Sequence, residues 1–209
     1  MTLRYTVDPA NRIVAIDGPW DEFAEAGGAP DLTRRSVLGR PLFDYLSGPE
    51  AEELVGLLLE RVRLGAQVRM SFRCDSPSLR RFMRLEMRGM ADGNVACEST
   101  VEREQARPPQ PLLDPTMARS DDLLIVCGWC KKVKLAEDRW VEVEEAVGVL
   151  AFSEMEALPR LSHGICDPCA EAIRQSVQSR PPGARPSDQG GSAEAAGPTV
   201  GSGVTTKKS

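Results

Sequence analysis

The chain has 209 residues, of which 41% are hydrophobic, 27% charged and 5% aromatic, and its 26 Lys and Arg against 31 Asp and Glu leave a net charge of -5. That balance argues against a nucleic-acid binder that works by neutralising phosphates, and the longest apolar runs, such as 55–59 broken by Gly56, fall far short of the ~20 residues of a bilayer span. The N-terminal stretch carries Asp8, Asn11 and Arg12 and no apolar signal region, so a cytoplasmic, reducing setting is expected, in which six cysteines read as thiols or metal ligands rather than disulfides.

Composition divides the chain. Residues 1–105 alternate apolar and charged segments like a globular domain. Residues 106–119 contain Pro108, Pro109, Pro111 and Pro115 and read as a stiff linker. Residues 120–178 hold four of the six cysteines, the only histidine and two of the three tryptophans. Residues 179–209 are rich in Gly, Pro, Ser and Ala, have little to bury, and are predicted to be a disordered tail.

In chain order, 3–7 and 12–16 are strand candidates joined by the turn signal Asp8-Pro9-Ala10-Asn11. Residues 20–26 suggest a short helix. Gly48-Pro49 opens the clearest helix, 50–64, whose Leu54, Leu57, Leu58, Val62 and Leu64 fall near helical spacing before the stop at Gly65. The period then becomes two. Val68, Met70, Phe72 and Cys74 share one face of a strand, and Leu79, Met83, Leu85 and Met87 share one face of the next, which runs from 79 to about 90. Asp92-Gly93 marks a hairpin into a strand at 94–101. One-sided alternation predicts an α+β fold, an antiparallel sheet with its helices on one face. Arg81 violates the pattern by falling on the apolar face, which implies a bulge or a register shifted by one.

This order, the segment Trp20-Asp21-Glu22-Phe23-Ala24, and Val37-Leu38-Gly39-Arg40-Pro41-Leu42 before the long helix resemble a PAS domain over residues 3–104. The resemblance implies a five-stranded antiparallel sheet cradling helices, a sensory or interaction role, and often a small ligand in the cradle. A haem version needs an axial ligand, most often histidine, and 1–105 contain no histidine. The photochemical flavin version carries an Asn-Cys-Arg motif on the long helix, where this chain has no cysteine. Cys74 and Cys97 read as small hydrophobes in strands. The opposite sheet face carries Arg69, Arg73, Arg80, Arg84 and Arg88. These are either a solvated face, a partner or homodimer surface, or a dock for the acidic segment that follows.

The sharpest motif is Cys127-Gly128-Trp129-Cys130 and, after 35 intervening residues, Cys166-Asp167-Pro168-Cys169, with His163 three positions before the third cysteine. Two residues between cysteines let both sulfurs of a turn meet one ion, and two such pairs supply four thiolates for one tetrahedral Zn2+. The spacing exceeds the common ribbon pattern. The insert must therefore hold structure of its own, with Trp140, Val141, Val143, Val147, Val149, Leu150 and Phe152 as its apolar layer. A smaller zinc-knuckle or ribbon-like module is expected, with metal supplying stability that so small a core lacks. Three alternatives stay open: three cysteines plus His163, a redox dithiol or zinc-linked redox switch, and four unrelated buried cysteines. A c-type haem is disfavoured by Lys131 and Ala170, which stand where a histidine should follow each pair.

The segment 125–170 also resembles a cysteine motif found after PAS domains in bacterial signalling proteins, through Cys-x-Trp-Cys-Lys-Lys, the Trp140–Glu145 stretch and Ser-His-Gly-Ile-Cys-x-x-Cys. That resemblance supports the metal site more than a function, with His163 a turn residue or a neighbour of the site rather than a ligand; the chain as a whole reads as a bacterial regulatory protein working through contacts with another protein. An enzyme would need an open metal position that four cysteines close, so no catalytic residue is assigned. The excess of acidic residues in 120–175 speaks against a zinc module that reads nucleic acid.

Overall fold

The computed structural model describes residues 1–46, 48–150, 152 and 156–178, so the expected tail from 179 onward lies outside the described residues. Strands β1 (Thr2–Val7) and β2 (Ile13–Asp17) form a hairpin whose turn places Asn11 at φ 60°, a left-handed conformation that asparagine tolerates. Helices α1 (Trp20–Ala26) and α2 (Arg34–Val37) follow, then a 3-10 turn (Leu42–Tyr45) and α3 (Pro49–Arg63). Strands β3 (Gln67–Arg73), β4 (Leu79–Gly89) and β5 (Val95–Ala106) complete a five-stranded antiparallel sheet in the order β2-β1-β5-β4-β3. The expected α+β architecture is present.

Helix α3 buries Ala51, Leu54, Val55, Leu58, Leu59 and Val62, a stripe at three- and four-residue spacing. Leu57 and Leu64, expected on that stripe, are exposed. The helical repeat of 3.6 rotates them off the face that Ala51, Val55 and Leu59 occupy instead. Pro49 opens the helix, and Gly65, at φ 95°, closes it by donating its N–H to Val62. The stripe packs on Val7, Ile13, Val68, Met87, Val95 and Cys97 to form the main core.

The Arg81 anomaly has a specific origin. The pairing of β4 with β5 slips between Phe82 and Met83, and Glu102 on β5 is the extra residue. The bulge is therefore on the partner strand, and Arg81 belongs on the inner face. Its guanidinium is buried, donates to the Ala26 carbonyl at the end of α1 (3.0 Å) and to Glu104 (3.1 Å), and lies 5.3 Å from the centre of the Phe23 ring.

The proline-containing stretch is packed rather than a bare spacer. A 3-10 turn at Pro111–Leu113 buries Leu112 completely, and Arg107 donates to the carbonyls of Ser76 and Pro77. Beyond it stand β6 (Arg119–Cys127), β7 (Val133–Ala136), β8 (Arg139–Val141), α4 (Val143–Val149), β9 (Leu158–Gly164) and α5 (Asp167–Gln178). They build more than the expected ribbon-like module: a four-stranded mixed sheet, β8-β7-β6-β9, in which β6 and β9 run parallel. Val141, Val143 and Phe152 fill its core with Leu112, Val126, Val133, Ala146 and Leu158, and Val147 and Leu150 pack against it. Val149, expected in that layer, is exposed, and Trp140 is only half-buried.

The two units are fastened together. Helix α5 packs on α3 and β3, and its Ile173 is fully buried in the main core. Arg73 Nη1 donates to Glu142 (2.7 Å), Arg80 Nη2 to Glu144 (2.6 Å) and Arg107 Nη1 to Glu144 (3.0 Å). Asp75, with a side chain 1% exposed, pairs with both Arg73 and Arg107.

Candidate metal centre

Topology brings the two cysteine pairs together. In the parallel pairing of β6 with β9, Cys127 lies opposite Gly164, so both strands end at the same place. The first pair occupies a tight turn in which Cys127 N–H donates to Lys132 O (2.7 Å) and Lys131 N–H to Cys127 O (3.0 Å). Lys131 takes a left-handed φ of 63°, and its Nζ donates to Gly128 O (2.9 Å). The second pair opens α5. Cys169 and Ala170 N–H both donate to Cys166 O, so the pair sits in the first turn, where helix dipole and free N–H groups favour negative charge. Gly128 N–H donates to Gly164 O (2.9 Å) and joins the two turns directly.

The Sγ atoms of Cys127, Cys130, Cys166 and Cys169 all lie within 4.8 Å of one another, and those of Cys130 and Cys166 are 3.6 Å apart. A tetrahedral site with Zn–S of ~2.3 Å has S–S edges of ~3.8 Å, so the separations suit one ion held by four sulfurs. They are far from the ~2.05 Å of a disulfide, and all six cysteines are free thiols. The four sulfurs are thus a candidate metal site.

The electrostatics point the same way. Thiol donors on Cys130 and Cys169, with the N–H groups of Cys130 and Cys166, hold the Cys127 sulfur far below the usual thiol range. The bond to Cys127 pushes Cys130 up to about 12 and drives Cys169 upward as well. At such separations several thiolates together are disfavoured without a cation. A dication reverses that preference and suits the set of four soft donors. Cys127 and Cys166 are buried, whereas Cys130 and Cys169 are half-buried and line an open groove of about 240 Å³ with Phe72, Phe82 and Trp129.

His163 is not in the group of mutually close ligand atoms, so the structure does not support it as a substitute ligand. It lies in β9 opposite Val126, half-buried, and burial with the nearby Lys131 lowers its pKa. Its carbonyl approaches Gly48 so closely that a Cβ there would sit 2.7 Å away, and Gly48 has φ 97°. That glycine lets the entry to α3 meet the strand leading to Cys166.

The arginine face divides. Arg73 and Arg80 are consumed by Glu142 and Glu144 and are not part of a free partner surface. Arg69 pairs with Glu86, Arg84 pairs with Glu86 and Glu102, and Arg88 is exposed. The reading as a dock for the acidic segment fits the first two residues. Asp75 and Arg107, which complete this network, carry no local signal in the sequence.

A second space, about 230 Å³, opens between the sheet and α3, with Tyr5, Leu58, Leu85 and Met87 among its lining residues. Cys74 borders it, and Cys97 is buried beside Tyr5. No helix among the described residues is long and apolar enough to cross a membrane. Compared with models of protein families and with curated proteins, the chain gives no match.

Proposed function

We propose that this protein is a cytoplasmic sensory or regulatory protein of the bacterial signalling type, in which a PAS-like sheet-and-helix domain is fastened to a zinc module and output passes through contacts with another protein. Zinc is held by Cys127, Cys130, Cys166 and Cys169, one ion per chain, and serves structure. The observation that carries this is the convergence of four sulfurs at the meeting point of β6, β9 and α5. The bound ion would tie the two strand ends to the helix and close all four coordination positions, leaving none for a substrate. The sheet-and-helix layer with a half-open apolar cavity supports the sensory role, and the Arg73–Glu142 and Arg80–Glu144 pairs supply the connection between input and metal module.

Elemental mass spectrometry of the purified, untagged chain tests the zinc assignment. About one zinc per chain is expected, lost in Cys166→Ser together with stability of residues 120–178. A metal-free wild type with thiols that titrate as a reversible pair would overturn it.

A thiol-based redox sensor is the second reading, favoured by one observation: Cys130 and Cys169 face the open groove while Cys127 and Cys166 do not. In that case peroxide should release zinc at fixed chelator concentration. Zinc that peroxide leaves in place would exclude it.

A further inference from the structure

The cavity between the sheet and α3 has one wall that does not belong to the sheet or its helices. Gly128 and Trp129, the two residues between the first pair of cysteines, line it together with Lys131. The whole spacer of the first metal-binding turn therefore faces this space. Trp129 also packs against the main core, and its carbonyl accepts the Arg73 N–H at the end of β3 (2.7 Å). The turn that holds two sulfurs is thus also the lid of the cavity.

The lining defines the chemistry of an occupant. Leu42, Val55, Leu58, Leu85 and Met87 make most of it apolar. Both cationic residues at its border are already engaged, Lys131 with the Gly128 carbonyl and Arg73 with Asp75 and Glu142. Tyr5 and Ser99 bring hydroxyls to the lining, and Trp129 carries a buried indole N–H with no acceptor among the described residues. An ionic ligand would meet only the Lys131 ammonium in an otherwise apolar lining, where its desolvation is costly, so the lining favours an uncharged occupant. An uncharged molecule with one oxygen finds donors and a fitting apolar surface. An apolar cavity of ~150 Å³ accepts benzene. The larger volume here suits a bicyclic molecule.

We propose that this cavity binds a small, uncharged, mainly apolar molecule bearing a hydroxyl or carbonyl oxygen, and that its occupancy is coupled to metal at the four cysteines through the turn Gly128–Trp129–Cys130–Lys131. This rests on the zinc site proposed above. With metal bound, Cys127 and Cys130 are fixed, and so is the Trp129 wall. Without metal the turn loses two of its anchors, and the ligand loses one side of its enclosure. Linkage makes the effect reciprocal: whatever factor metal adds to ligand affinity, the ligand adds to metal affinity.

The test uses the full-length zinc-loaded chain and 1-naphthol, a neutral bicyclic alcohol, as the probe. Calorimetric titration measures binding, and competition with a chromophoric chelator measures zinc affinity with and without the probe. Binding of 1-naphthol and a rise in zinc affinity of about fivefold or more are expected. Trp129→Ala keeps all four sulfurs, so it should retain one zinc per chain while the effect of 1-naphthol on zinc affinity disappears. Trp129→Phe, which keeps an aromatic wall, should retain the zinc and part of the effect. If the wild type holds zinc but neither binds 1-naphthol nor holds zinc more tightly in its presence, the coupling is wrong and the zinc site stands. The coupling is equally wrong, with the zinc site intact, if Trp129→Ala keeps the full effect. Absence of zinc from the wild type overturns both.

Discussion

Replacing Glu144 by glutamine tests the clamp between the two units. Its carboxylate accepts from Arg80 Nη2 at 2.6 Å, Arg80 Nε at 3.2 Å and Arg107 Nη1 at 3.0 Å. Burial alone would disfavour the charge, but these donors and the backbone N–H overcome it and bring its pKa from 4.5 down to about 2. Taken at face value, a shift of that size corresponds to about 3 kcal/mol. The side chain is 28% exposed, so solvent screening reduces the figure to about 1–2 kcal/mol. Nor does the substitution orphan the arginines: Arg80 keeps Glu142 at 3.7 Å and Arg107 keeps Asp75 at 3.3 Å. That keeps the cost below the ~3–5 kcal/mol of breaking an isolated buried pair. Because the folded pKa is depressed, the stabilisation is fully present above about pH 4.5 and is lost as pH falls toward about 2. Denaturant unfolding of wild type and Glu144→Gln across this range, followed by circular dichroism, reads it out. Acid would also release a metal held by the four cysteines, equally in both proteins, so the difference between them is the quantity that matters. The variant should be less stable near pH 7, with the gap narrowing below pH 4.5 and closing near pH 2. A gap that is absent near neutrality, or unchanged in acid, would refute the assignment.

Three further outcomes are expected. Gly48→Ala puts a Cβ 2.7 Å from the His163 carbonyl at φ 97°, and should cost about 2 kcal/mol or more in denaturant unfolding and speed zinc loss to a chelator. Arg81→Met removes the bond to Ala26, the pair with Glu104 and the contact with Phe23, and should cost about 1–3 kcal/mol, whereas Arg69→Met, on a side chain 68% exposed, should change stability by less than about 0.5 kcal/mol. Burial pushes Cys97 up to about 12 and raises Cys74, so neither thiol should react with an aromatic disulfide reagent at neutral pH until the chain is unfolded; rapid labelling of Cys97 in the native protein would contradict its placement.

What the sequence disclosed was local or periodic. The hairpin at Asp92-Gly93, the stop at Gly65 and the alternation of β3 and β4 depend on neighbours a few residues apart, and these elements lie where expected. The four cysteines of the candidate site were legible because C-x2-C is itself a local geometric unit. The errors have one cause: the face a residue takes depends on elements distant in the chain. Leu57 and Leu64 are apolar at nearly helical spacing, but the sheet selects the neighbouring stripe of α3. Arg81 appeared misplaced because its partners, Glu104, Ala26 and Phe23, lie on β5 and α1. The parallel pairing of β6 and β9 left no trace, since the residues that align, Cys127 with Gly164, are joined only by the fold. The PAS resemblance implied a ligand cradle, but the residue pattern alone gave no sign of the 230 Å³ cavity, because a void is a difference between side-chain volumes contributed by β1, β4, α3 and the cysteine turn.

Helix α5 explains why a metal at this position would act on the larger domain and not only on its own sheet. Cys169 lies in its first turn and Ile173 one turn later, fully buried in the main core. A helix of 12 residues is marginal alone and gains its stability from packing and from its ends. A metal on the sulfurs of Cys166 and Cys169 would hold one end, and α3 and β3 hold the face that carries Ile173. Releasing the end would weaken the register of the face, because the two attachments lie a single turn apart on one rigid element. The first cysteine turn meets the same domain as well, through Trp129 and the N–H of Arg73 at the end of β3. Both halves of the candidate metal site therefore press on the layer that encloses the cavity, so stability supplied at the four sulfurs is delivered to that layer.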